Sequence, residues 1–129
     1  MACRSAAPPP EAAPGPIPML VEVGREGFVR HCAACHGMDA RGGGPVVSAL
    51  RTAPADLTRI AARRGGDFPA GEIADWIDGR LASPAHGTRE MPVWGARFSQ
   101  GLPPDPLSQD LVRGRIVTLV EYLRSIQVK

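Results

Sequence analysis

Aromatic side chains make up only 5% of this 129-residue chain, and that shortage is the first constraint on its core. A domain of about a hundred residues buries only about 60–70% of the surface its unfolded chain exposes, so a bulky apolar body other than aromatic rings would help to fill its centre. Long apolar runs are missing too. No stretch approaches the ~20 residues that span a bilayer, and no basic start followed by an apolar run reads as a signal peptide. Neither charge dominates, with 15 basic and 13 acidic residues, which argues against nucleic acid as a partner. Nothing alternates with period two over a useful length and no internal repeat is visible, so strands and solenoids are not expected. Paired carboxylates and a Ser-His arrangement are absent, and the Gly42-Gly43-Gly44 run is too loosely placed to cradle a phosphate. An independent enzyme is therefore not expected.

What the chain has is 15 Gly and 14 Pro, hence many turns and short elements. Residues 1–18 read as a disordered Ala/Pro-rich tether with too little apolar surface to order itself. From Met19 the pattern changes: Leu20, Val23 and Phe28 place apolar side chains along a helix over about 19–32. Residues 37–55 read as a glycine-rich loop with one turn at most. Asp56 then caps a short helix holding Leu57, Ile60 and Ala61, stopped by Gly65-Gly66. A third helix starts near Pro69, with Ile73, Trp76 and Ile77 at i, i+3 and i+4, and ends at Gly79. Residues 80–107 form one long irregular segment, and a connection of that length is usually functional. Ser108 caps the last helix, where Leu111, Val112, Ile116, Leu119, Val120, Leu123 and Ile126 keep the helical period. The fold class is all-α with large loops, and residues 19–129 form its single domain.

The chemistry concentrates in Cys32-Ala33-Ala34-Cys35-His36, the Cys-x-x-Cys-His spacing in which each thiol forms a thioether with one haem vinyl group. On one helical turn both sulfurs come to one side at i and i+3, and His36, at i+4 from Cys32, lies on the same face. A zinc site would need four N or S ligands, and beyond this cluster only Cys3, His31 and His86 are on offer, none in a paired spacing. A thioredoxin-like pair would need a βαβ setting that the helical pattern does not provide. A second axial ligand must reach the opposite face of the iron. Met38 and His31 lie too close to the attachment turn, and Met19 belongs to the first helix. Met91 and His86 remain, and Met91 sits in the irregular segment before Pro92, which holds the preceding backbone extended.

From Met19 to Lys129 the chain resembles a bacterial class I cytochrome c. Gly24, Phe28 and Cys32 recur at four-residue steps into Ala33-Ala34-Cys35-His36-Gly37. Gly44-Pro45, Pro54-Ala55-Asp56-Leu57-Thr58, Met91-Pro92 and Tyr122-Leu123 then follow in family order. One departure is Ala40, which stands where that family's glycine-rich stretch begins with glycine. The resemblance implies a cytochrome c fold, about four short helices with long loops wrapped around one covalently attached haem c. It matches Met91 to the family's Met-Pro ligand position, opposite His36. It also implies that the Pro45 carbonyl accepts the free N–H of His36, that Gly24 and Phe28 meet Tyr122, and that Trp94 touches the ring or a propionate. Trp76 reads equally well as core packing. Arg89 and the Arg63-Arg64 pair would neutralise propionates or meet an acidic partner, although solvated charge is the ordinary reading.

The function so implied is single-electron transfer between redox partner proteins, by a monomer when isolated. The alternative is a haem c subunit relaying electrons within a dehydrogenase or terminal oxidase complex. A haem-based gas sensor or peroxidase would need an open sixth site. His/Met ligation implies a positive midpoint potential. Attachment of c-type haem outside the cytoplasm implies a periplasmic protein whose export signal has been removed or replaced. Cys3, just before the Ala/Pro tract, resembles the lipidated cysteine of a bacterial lipoprotein and offers a membrane tether; the plain alternative is an incidental thiol on a disordered tail.

Overall fold

The computed structural model describes residues 7, 14–81 and 89–129. Most of the Ala/Pro tract with Cys3, and residues 82–88 with His86, lie outside the described residues. Five α-helices and three single 3-10 turns make up the described chain, and it contains no strand: the fold is all-α. The helices are α1 (Pro18–His31), α2 (Ala33–His36), α3 (Ala70–Asp78), α4 (Trp94–Ser99) and α5 (Pro106–Ser125).

The broadest packing is between α1 and α5. On α5 the stripe Val112, Ile116, Leu119, Val120 and Leu123 is buried at helical spacing, and Phe28 of α1 is buried against it. Gly24 lets the two helices approach: a Cβ there would run into the backbone carbonyl of Thr118 and lie 2.9 Å from the Tyr122 Cβ. One turn on, the Phe28 and Tyr122 rings stand 5.2 Å apart. The expected contact of Gly24 and Phe28 with Tyr122 is present. Glu121, buried on α5, accepts a hydrogen bond from the Ile17 N–H at 3.1 Å, giving the start of α1 an anionic partner that the Ile17 side chain does not supply.

Three expectations need correction. The cap of α5 is Asp105, whose carboxylate accepts from the Ser108 N–H at 2.8 Å. Pro106 needs no N–H partner at the first helical position, so the helix starts earlier than a Ser108 cap allows. The segment 80–107 is not wholly irregular, because Trp94 and Phe98, one helical turn apart, bury themselves as the six-residue α4. The helix expected after Asp56 is a pair of 3-10 turns, Leu57–Arg59 and Ala62–Arg64. Asp56 does cap the first of them, accepting from the Thr58 N–H and hydroxyl, and Gly65 in the left-handed region ends the second.

These two turns are tied to the end of α5 by one side chain. Gln127 accepts from the Ala61 N–H at 3.0 Å and donates to the carbonyls of Leu57 and Leu123, each at 2.7 Å. Gln127→Ala removes all three bonds and should lower stability by about 2 kcal/mol. The check is a lower urea midpoint at unchanged slope.

Candidate functional site

Cys32 sits at the junction of α1 and α2 with φ −116°, and the carbonyl it presents accepts from both Cys35 N–H (3.2 Å) and His36 N–H (2.9 Å). The Cys32–His36 stretch is therefore one closed turn, with both thiols free. Such a turn would fray at its end, since its last carbonyls lack helical partners. The glycine-rich loop supplies them: Gly42 N–H donates to His36 O (2.7 Å), Gly44 N–H to Cys35 O (3.0 Å) and Val46 N–H to Ala34 O (3.2 Å). Gly44 has to be glycine, since a Cβ would collide with the Ala34 carbonyl and lie 2.6 Å from the Cys35 carbonyl carbon. The Gly42-Gly43-Gly44 run is a backbone cap for the Cys-x-x-Cys-His turn.

His36 Nδ1 lies 3.1 Å from the carbonyl of Ala55, and since a carbonyl only accepts, the proton is on Nδ1 and Nε2 is the nitrogen left free for a metal. Pro45 does not play the part the resemblance implies. It follows Gly44, whose backbone is spent capping α2, whereas Ala55 is carried to His36 by the Leu57 N–H to Ala40 O bond of 2.8 Å. Burial pushes the His36 pKa down, with the Ala55 bond acting partly against it, so the imidazole is neutral at pH 7. Burial, and then the neighbouring Cys35, pushes the Cys32 thiol up to about 12. Among the described residues no three His, Cys, Asp or Glu side chains gather as a metal-binding group, so the turn offers one imidazole and two thiols rather than a chelate. That donor set fits a haem held by its periphery and by one axial nitrogen.

Met91, half-buried, packs on the same hydrophobic core as Cys32, together with Leu57, Phe68 and Ile73. The residues before it fasten its backbone on both sides. Arg89 donates from Nε to Met91 O (2.8 Å), from Nη2 to Pro92 O (2.7 Å) and from Nη1 to Trp76 O (2.7 Å). Glu90 accepts from the N–H groups of Arg51 (3.0 Å) and Thr52 (2.8 Å), which hold its carboxyl below the usual range. Sequence reasoning missed both roles, assigning Arg89 to propionates or solvent. A side chain bonded to carbonyls leaves no trace in spacing or hydrophobic period.

Trp94 is buried at the start of α4, its ring 5.2 Å from His31 and 5.6 Å from Phe98. Trp76 is 60% exposed and lies under the Arg89 guanidinium, so core packing is not its role. His31 Nε2 is buried with no hydrogen-bond partner. Burial first, then Arg115 and Arg30, lower the His31 pKa. The folded state thus binds this proton less readily than the unfolded state, and stability falls as pH drops below the ordinary histidine value near 6.5. His31→Gln should flatten that loss, so urea midpoints at pH 7.5 and 5.5 should lie closer together than in the wild type.

These features define an all-helical protein with a Cys-x-x-Cys-His turn capped by a glycine loop and a separately fastened Met-Pro segment. Over 83 residues the chain is 42% identical to a cbb3-type cytochrome c oxidase subunit, FixPc, of Rhizobium leguminosarum bv. viciae. The alignment covers 63% of this chain and 23% of that protein, so the chain spans about a quarter of the length of the curated relative it matches. No family model matches the chain, and no solved structure does.

Proposed function

We propose that residues 19–129 form a class I cytochrome c domain that transfers single electrons, with residues 1–18 as its tether. In this reading Cys32 and Cys35 would each hold one haem through a thioether, and His36 Nε2 and the Met91 thioether would ligate its iron. A haem c held in this way supplies a one-electron iron couple. The remaining work belongs to the polypeptide. Ala55 fixes the tautomer and direction of His36, the Gly42–Val46 loop keeps the attachment turn closed, and Trp94 and Phe98 keep water from the core beneath it. A soft thioether favours ferrous iron, so the midpoint potential is positive. The observation that carries the reading is the His36 bond to Ala55 on a turn with two free thiols, which prepares a single neutral nitrogen for a metal.

The similarity to an oxidase subunit favours a more particular version, in which this domain relays electrons within a terminal oxidase complex at the periplasmic face of the membrane. Its redox partners are then neighbouring subunits.

The test is the full chain produced with a c-haem maturation system. The account expects haem that stays with the polypeptide on a denaturing gel, a weak far-red Met–iron band in the ferric form, and a ferrous form inert to carbon monoxide. Ready carbon monoxide binding with a strongly negative midpoint would instead support a sensor or peroxidase. Purification from the native host in a stable stoichiometric complex supports the oxidase-relay version, and isolation as a lone monomer contradicts it.

A further inference from the structure

Among the described residues Arg89 makes no ion pair, and its three side-chain hydrogen bonds to them go to backbone carbonyls of two different segments. Two of these carbonyls are consecutive: that of Met91, which belongs to the Met-Pro peptide bond itself, and that of Pro92. The third, of Trp76, is one of the last carbonyls of α3 and has no helical partner. A cation there is also favoured by the negative end of the helix. The site is built to receive the guanidinium. Gly79 ends α3 at φ +71°, and a Cβ at that position would lie 2.6 Å from Arg89 Nη1 and 2.9 Å from its Cζ. The Trp76 ring covers the guanidinium at 5.5 Å from its centroid. Next in sequence, Glu90 fastens the same segment to Arg51 and Thr52.

We propose that Arg89 is a positioning residue for the Met91 ligand: it locks the Met91-Pro92 carbonyls to the end of α3, so that the thioether is presented to the iron in one fixed place. The inference rests on the reading of Met91 as the axial ligand. A methionine–iron bond is weak enough for an external ligand to compete, so the strength of the bond depends on how little freedom the backbone behind it has. Arg89 supplies two charge-assisted bonds to that backbone, at Met91 and Pro92, and a third to Trp76 on α3, all from one planar fork. Lysine is no substitute, because a point charge cannot hold three divergent carbonyls together.

The experiment measures imidazole binding to the ferric holoprotein, together with its far-red band and midpoint potential, in the wild type, Arg89→Gln, Arg89→Lys, Glu90→Gln and Arg64→Gln. Arg64 is the control, an arginine paired with Glu72 on the surface. The proposal expects Arg89→Gln to bind imidazole about tenfold more tightly or better, the worth of about one charge-assisted hydrogen bond. Its far-red band should weaken and its midpoint fall, Arg89→Lys should lie between, and Arg64→Gln should match the wild type. Wild-type imidazole affinity and an intact band in Arg89→Gln overturn it. If Arg89→Gln does not fold, a rise in imidazole affinity in Arg89→Lys sustains the proposal, and unchanged affinity in both Arg89→Lys and Glu90→Gln overturns it. A wild-type holoprotein with no Met–iron band fails differently: it removes Met91 as the ligand, and this inference with it.

Discussion

Met91→Ala, under the ligation proposed above, is expected to turn an iron that ignores carbon monoxide into one that binds it readily, with loss of the far-red ferric band and a large fall in midpoint potential. As the proposed ligand, the thioether would contribute through its preference for ferrous iron. A hundredfold loss of that preference is a shift of roughly 120 mV for a one-electron couple. Stability should suffer less, because Met91 lies at the margin of the core and is only half-buried. The outcome is thus a split: chemistry at the iron changes strongly while the thermal midpoint moves by only a few degrees. Equal collapse of both would mean that Met91 is packing rather than ligand. His86, the rival from the sequence, lies outside the described residues, and His86→Ala should leave the band and the potential where they are.

The second large effect is on folding. Gly24→Ala should cost about 3 kcal/mol or more, because the added methyl meets the Thr118 backbone carbonyl, which cannot rotate away as a side chain would. Relief requires α1 to move off α5, and that exposes Phe28, Leu119 and Tyr122. In a domain of this size such a loss lowers the thermal midpoint by roughly 12 °C or more. The same substitution at Gly114, exposed in the middle of α5 with nothing within 4 Å of the new methyl, should have the opposite sign. Alanine is the better helix former there by about 0.5–1 kcal/mol, so the midpoint should rise by a few degrees. Calorimetry of the two holoproteins tests both signs at once. A mild effect at Gly24 would mean that the α1–α5 crossing is loose, and would weaken the account of this fold.

The buried face of α5 was legible in the sequence because it rests on periodicity. That Gly24 and Phe28 of α1 meet Tyr122 was legible through the resemblance, which places those residues in order, and not through the period alone. The Cys32–His36 turn was legible because the Cys-x-x-Cys-His spacing is a short local pattern that fits one helical turn. What was hidden depends on backbone groups, which every residue has. Nothing in Gly42-Gly43-Gly44 announces that the N–H groups of Gly42 and Gly44 cap the carbonyls of His36 and Cys35, or that Ala55 rather than Pro45 supplies the acceptor for His36. Arg89 was read as a surface charge because its three partners are carbonyls. The helix α4 escaped notice because six residues carry only one apolar pair, Trp94 and Phe98, too little to show a period among the surrounding prolines.

The left-handed Ala40 belongs to the same class of hidden detail. It is fully buried with φ +62°, a conformation in which an alanine Cβ crowds the backbone and which costs about 1 kcal/mol or more. Its neighbours hold it there: its N–H donates to Gly37 O at 3.0 Å and its carbonyl accepts from Leu57 N–H at 2.8 Å. Through that second bond Ala40 helps to bring Ala55 to His36. Ala40 is thus a position where a small buried side chain is kept at the expense of backbone strain.

The proposed electron transfer depends first on a covalent link to haem at Cys32 and Cys35. Intact mass of the full chain, produced with a c-haem maturation system and measured under denaturing conditions, examines that link alone. The account predicts a mass raised by one haem, with the added mass on the proteolytic peptide that contains Cys32, Cys35 and His36 and both thiols protected from alkylation. A chain of unmodified mass whose Cys32 and Cys35 both take up the alkylating reagent would contradict it.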